Sequence, residues 1–181
     1  MIQLSYFEEK DFNQLIRWIS NEELMMNWSG AMFSFPLTDD SLTWYLSDVN
    51  DIENSSAFVY KAIDTTTNEV VGHISLGNLS KKNKSARITR VLVGDTANKG
   101  KGYCKQMVQA VLKIGFEELK LHRIELGVYD FNIAAINCYK KAGLSIEGTS
   151  RDCVLFKDKW WSLIEMSILE DEWRSMDLKF L

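Results

Sequence analysis

Val91-Leu92-Val93-Gly94-Asp95-Thr96-Ala97-Asn98-Lys99-Gly100-Lys101-Gly102-Tyr103-Cys104 is the stretch on which the reading of the fold turns. Residues that favour strands stop at Val93. A turn with two glycines follows. From Gly100 to Leu119 the positions Val108, Val111, Leu112, Gly115 and Leu119 share one helical face. A strand therefore ends in a glycine turn that opens a helix. Glycine lets backbone approach a ligand and tolerates unusual dihedrals, and the unpaired N–H groups of a helix start favour a phosphate. Lys99, Lys101 and Lys105 add positive charge. The junction predicts a phosphate-bearing ligand, although glycine turns before helices are also common as plain structure. Two familiar motifs are excluded. A P-loop needs Lys-Ser/Thr after its second glycine, where this chain has Tyr103-Cys104, and the dinucleotide fingerprint needs a third glycine where Lys105 stands.

Working outward, His122–Tyr129 reads as a strand, so Ala86 to Tyr129 is strand–helix–strand and should form a right-handed parallel crossover. Upstream, Ala57–Ile63, Val70–Leu79 and Ala86–Val93 are strands joined by short turns, which favours antiparallel neighbours. Ile2–Phe7 is a strand, Glu9–Ser20 a helix and Glu22–Trp28 a short second one; Ser29–Leu37 is loop, and Thr38 caps a helix to about Val49. Downstream, Ile133–Lys141 is a helix stopped by Gly143, and Leu144–Glu147 and Val154–Leu169 close the chain as strands around a turn near Lys157–Lys159. The expectation is an α/β fold with a mixed, mostly antiparallel seven-stranded sheet flanked by about four helices, in one domain over residues 1–181.

Composition narrows the function. Hydrophobic content of 46% and charged content of 25% are ordinary globular values. The N-terminal residues lack a signal-peptide pattern, and no apolar run suits a membrane span. Cys104, Cys138 and Cys153 are odd in number and lack metal-ligand spacing, so neither a disulfide framework nor a metal site is expected, and a reducing cytoplasm fits. Net charge is -4, yet residues 1–56 hold ten acids against Lys10 and Arg17, while residues 81–105 hold eight bases and one acid. The bland reading is solvated surface. The sharper one is an anionic ligand facing an acidic acceptor region. The acidic balance disfavours nucleic acid.

A second motif follows the strand: Asn132-Ile133-Ala134-Ala135-Ile136-Asn137-Cys138-Tyr139-Lys140-Lys141-Ala142-Gly143-Leu144. Asn132 and Tyr139 lie seven apart, about two helical turns, so both can face one groove. Alone, such an Asn is usually a cap and such a Tyr usually core. Together the two motifs resemble the GNAT acetyltransferase superfamily, whose glycine motif Gln/Arg-x-x-Gly-x-Gly/Ala is matched from Lys99 to Cys104. Its motif Asn-x-x-Ala-x-x-x-Tyr-x-x-x-Gly-Phe is matched at Asn132, Ala135, Tyr139, Gly143 and Leu144. His122-Arg123-Ile124, Glu147-Gly148 and Arg151 resemble the group of ribosomal-protein alanine and spermidine acetyltransferases.

The resemblance implies acetyl-CoA as co-substrate, no metal, and transfer of acetyl to an amine: a polyamine, protein N-terminus, aminoglycoside or other small amine. It leaves a homodimer open. By that likeness the backbone of Val91, Leu92 and Val93 pairs with the pantetheine arm, and the backbone of Lys99, Gly100, Lys101, Gly102, Tyr103 and Cys104 holds the pyrophosphate. Asn132 bonds the pantetheine or orders the site, Tyr139 protonates the departing thiolate, and an N–H near Leu92 stabilises the oxyanion. Lys99 departs mildly from the motif, and Cys104 replaces Gly/Ala with a larger side chain that could crowd the turn. Arg87 stands where many members carry a catalytic Glu, so the general base is open among Asp130, Glu125, ordered water, His73 and His122. Trp18, Trp28, Phe33, Phe35, Trp44 and Tyr45 lie among the N-terminal acids, where some could line an acceptor slot that favours cations. The competing readings are a non-catalytic CoA-binding sensor on the same fold and an unrelated nucleotide-binding module.

Overall fold

The computed structural model describes residues 1–98 and 100–176. Seven strands form one sheet: β1 (Ile2–Tyr6), β2 (Phe58–Asp64), β3 (Val70–Ser80), β4 (Ser85–Val93), β5 (Arg123–Tyr129), β6 (Ser145–Phe156) and β7 (Lys159–Leu169), in spatial order β1-β2-β3-β4-β5-β7-β6. Every neighbouring pair is antiparallel except β4 and β5, the parallel pair predicted by the crossover. That pair is short. It runs Ser85↔Arg123, Ala86↔Ile124 and Arg87↔Glu125, and the strands are unpaired beyond it.

The two faces of the sheet bury different partners. Helix α4 (Tyr103–Lys113) presents Met107, Val108, Val111 and Leu112 to Ile74, Leu76, Ile88 and Ile124. Each of these apolar side chains contributes about 1.5–3 kcal/mol on burial. Helix α5 (Ile133–Lys141) joins the same core through Ile136 and Tyr139. On the opposite face α1 (Phe12–Trp18), α2 (Glu22–Ser29) and α3 (Asp39–Tyr45) pack Phe12, Leu15, Met25, Trp28, Leu42 and Tyr45 over Phe7 and Val59. Short polar side chains start these helices: Asn21 accepts from the Leu24 N–H, Thr38 from Ser41 and Asn132 from Ala135.

Several expectations need correction. The described residues hold six α-helices rather than about four. The addition at the C-terminal end is α6 (Glu170–Ser175), where one tryptophan among charged residues gives no readable period; Trp173 is fully buried and stacks on Phe116 at 5.7 Å. The helix from Thr38 ends at Tyr45 instead of Val49. The helix expected to start at Gly100 starts at Tyr103, and a π-helical turn, Ile114–Glu118, follows Lys113. The two final strands become one long hairpin whose first arm, β6, carries two register shifts. Cys104 and Cys138 form a disulfide between α4 and α5, against expectation. They are 34 residues apart, and a helix–helix contact leaves no local spacing to read. Among the described residues no helix is long and apolar enough to cross a membrane.

Candidate active site

Where β4 and β5 part, a cavity of about 840 Å³ opens, within the range of small-molecule sites. One wall is β4. Its register against β3 shifts between His73 and Ser75, where three residue steps on β4 (Thr89 to Leu92) oppose two on β3. This is a bulge, with Arg90 in the left-handed region at φ +53°. The Trp28 indole N–H donates to the Arg90 carbonyl at 3.0 Å and ties α2 to it. Val91, Leu92 and Val93 then line the cavity, as does the β5 stretch Leu126–Tyr129.

Gly100 and Gly102 stand at one end, both at positive φ, +82° and +78°. A Cβ at Gly100 would meet nothing within 4 Å, and one at Gly102 only the Gln106 amide nitrogen at 4.0 Å. The glycines are therefore required by backbone conformation and not by crowding. Gly102 caps α4 without a side-chain bond, and Tyr103, Cys104, Lys105 and Lys141 line the cavity beside it. The first N–H groups of α4 are thus free for an anion, reinforced by the helix dipole. Lys99 lies outside the described residues. Lys101 does not line the cavity; its ammonium donates to the Asn98 side chain at 3.1 Å. The Tyr103 hydroxyl donates to Asp64 at 2.5 Å.

Tyr139 and Asn132 reach the same cavity from α5, as their spacing predicted. Asn132 spends its side-chain oxygen on the cap of α5. Tyr139 is 6% exposed. Burial pushes its pKa above that of an ordinary phenol, so it keeps its proton at neutral pH.

The acceptor-side candidates divide differently from expectation. Glu125 does not line the cavity: it accepts from Arg87 at 3.0 Å and from Arg123 at 2.9 Å. Burial pushes the Glu125 pKa up, but hydrogen bonds from Arg123 and Arg87 outweigh it and the net shift is downward. Asp130 and His122 are exposed and outside the cavity lining. His73 is buried beneath the site. Burial first, then the Arg90 charge, lower its pKa to about 3, so it is neutral and cannot take a proton at physiological pH. Sequence reasoning missed the chain from the Arg90 Nε–H to the Tyr45 hydroxyl (2.9 Å) and on to His73 Nε2 (3.2 Å). Nor did it show Arg87 bridging Glu125 and Glu165, the latter at 2.7 Å. Of the aromatics, Trp28 lines the cavity, whereas Phe33 and Tyr45 are core and Trp44 is exposed. The expected acidic wall is not part of this cavity, which no carboxylate lines among the described residues; Glu23 and Asp95 line an adjoining one that shares Leu24, Asn27, Leu92 and Val93 with it.

The family described as "Acetyltransferase (GNAT) domain" matches residues 2–145. The uncharacterized N-acetyltransferase YnaD of Bacillus subtilis (strain 168) is 38% identical over 73 residues, covering 40% of this chain and 43% of that protein. The chain thus spans less than half the length of that relative. The aminoglycoside N(6')-acetyltransferase type 1 of Klebsiella pneumoniae is 23% identical over 153 residues, covering 82% of this chain and 76% of that one. A spermidine N-acetyltransferase from Vibrio cholerae, solved in complex with CoA and spermine, superposes with a TM-score of 0.81 at 20% identity, over 96% of this chain and 98% of that one. At that identity the superposition shows the fold. With the family match extending over most of its length, this chain belongs to the GNAT acetyltransferase family.

Proposed function

We propose that this chain is an acetyl-CoA-dependent N-acetyltransferase, one domain over residues 1–181, with an amine attacking directly in a ternary complex. One observation carries the reading: the wedge between β4 and β5 brings the glycine turn, the free edge of β4 and the Tyr139 ring into one cavity. The residues fit the co-substrate. The edge of β4 at Val91, Leu92 and Val93 that faces away from β3 has no strand partner beyond Arg87 and suits the amides of a pantetheine arm, and Gly100 to Cys104 at the start of α4 suits a pyrophosphate. Asn132, held as the cap of α5, borders the same space. Acetyl-CoA supplies the thioester that is broken. The relatives named for spermidine and for aminoglycosides both act on amines, which supports an amine acceptor.

In the reaction the neutral acceptor amine attacks the acetyl carbon, the carbon–sulfur bond breaks, Tyr139 gives its proton to the leaving sulfur, and the proton shed by the nitrogen passes through water to restore the Tyr139 phenol. Burial raises the phenol pKa, and it raises a thiolate's proton affinity in the same dry space, so the transfer is not disfavoured by the shift. Tyr139→Phe keeps the ring in the core and removes only the donor. It should lower kcat by about 10²–10⁴-fold with little change in acetyl-CoA Kd, read by thiol release and calorimetry. Wild-type kcat in that variant removes Tyr139 from the mechanism. Tight acetyl-CoA binding with no thiol release for any amine favours the sensor reading instead.

A further inference from the structure

Four bases and no carboxylate line the described cavity: Arg87, Arg90, Lys105 and Lys141. Lys105 is in the first turn of α4 beside the glycines, and Lys141 ends α5. Both belong to the end that suits phosphates. Arg87 is already neutralised by Glu125 and Glu165. Arg90 differs from all three. It lies on the sheet face covered by α2 and α3, where its Nε–H donates to Tyr45 and its guanidinium carbon sits 4.7 Å from the Tyr45 ring centroid. Its Nη1 faces the Met32 sulfur at 3.1 Å, a weak acceptor. Among the described residues it forms no ion pair. A guanidinium has five donors, and most of these remain for the cavity.

This arrangement is built. The bulge sets the Arg90 backbone, the Trp28 indole N–H holds its carbonyl, and the Tyr45 hydroxyl that receives Nε is itself seated on buried His73. A half-buried cation without a counter-ion carries a desolvation cost, which an arriving anion would recover. Among the described residues no N-terminal acid pairs with Arg90, and several are engaged elsewhere. Glu8 and Asp11 pair with Lys61, Glu22 pairs with Lys157, and Asp51 bonds within its own loop.

Resting on the acetyl-transfer reading above, we infer that the acceptor is a small amine that also carries a carboxylate, an amino acid being the simplest case, and that Arg90 receives the carboxylate. A planar fork matches a carboxylate with two parallel bonds. The amine is then held at the other end of the acceptor, free to attack.

The test uses matched pairs of amino acids and their carboxamides, with the amine one, two or three carbons from the acid, plus spermidine, at saturating acetyl-CoA. Each acid should exceed its amide in kcat/KM for at least one spacing, by about tenfold or more for a charge-assisted bidentate contact. Arg90→Gln should erase that preference and Arg90→Lys should retain part of it, both with wild-type acetyl-CoA Kd. Amides equal to or better than the acids in the wild type overturn the inference, even if Arg90→Gln fails to fold. So does a preference that survives in Arg90→Gln, or spermidine as the best acceptor. Those results leave acetyl transfer intact. No turnover of any amine overturns both.

Discussion

Mild acid should destabilise this protein more than an otherwise identical chain lacking His73. The ring is fully enclosed, 1% exposed, with Phe7 and Trp28 edge-on at centroid distances of 4.7 and 5.6 Å. Its Nε2 meets the Tyr45 hydroxyl, and its Nδ1 is buried without a partner. A proton on this ring would be desolvated and would face Arg90, so the folded pKa falls from 6.5 to about 3. The unfolded chain takes up a proton at His73 below about pH 6.5, while the folded chain does not until about pH 3. Between those values the unfolded state binds more protons, so His73's contribution is whole above pH 6.5 and shrinks as pH falls. From the two pKa values the loss is about 2 kcal/mol between pH 7 and pH 5, and about 4 kcal/mol by pH 3. For a chain of this size 2 kcal/mol is about 4–8 °C in Tm. His73→Gln keeps an acceptor for Tyr45 and cannot titrate. Urea unfolding of both proteins at pH 7, 6 and 5 separates this effect from the carboxylates, which the two share. The reading concerns the difference in slope, so a lower baseline stability of the variant does not obscure it. Parallel pH curves would show that His73 is not held neutral in this pocket.

Gly102→Asp should weaken acetyl-CoA binding about tenfold or more, because it sets a negative charge at the start of α4 and strains a left-handed position. Gly102→Ala, with the strain but no charge, should lose less, and calorimetry showing equal affinity for wild type and Gly102→Asp would remove the glycine turn from the binding site. Trp173→Ala should cost about 3–5 kcal/mol of stability, the usual price of emptying a large core site, measured by urea unfolding; a loss under about 1 kcal/mol would mean α6 is not part of the core.

The parts of the site that follow from one local stretch were readable in the sequence. The β4–α4 junction showed itself because glycines at positive φ and an apolar helical face are properties of consecutive residues, and Asn132 and Tyr139 because helical spacing projects directly into space. The acceptor side depends on contacts between distant segments, and there linear charge misled. Ten acids in residues 1–56 suggested an acidic slot, yet Glu8 and Asp11 are spent on Lys61 from β2 and Glu22 on Lys157 from the β6–β7 turn. The candidate base Glu125 was on a suitable strand, but Arg87 and Arg123 claim it, and neither pairing has a sequence signature.

Arg90 shows most clearly how near the signal lay. Successive side chains of a regular strand alternate faces, so Ala86 and Ile88, which join the α4 core, would carry residue 90 into that core with them. A guanidinium there without a partner would be prohibitive. The next β4 residues packed against that core are Val91 and Val93, so the apolar phase jumps by three between Ile88 and Val91. An odd jump at a charged residue is the mark of an inserted residue, because a slip of one position flips every later side chain to the other face. The bulge therefore does two things at once. It keeps Val91 and Val93 on the core side, and it delivers Arg90 to the cavity with Arg87, although two residues three apart on a regular strand would face opposite ways. In the sequence Val91, Leu92 and Val93 are all apolar, so the phase after Arg90 is hidden; the register and the core contacts were needed to show the bulge and the cation it places on the cavity wall.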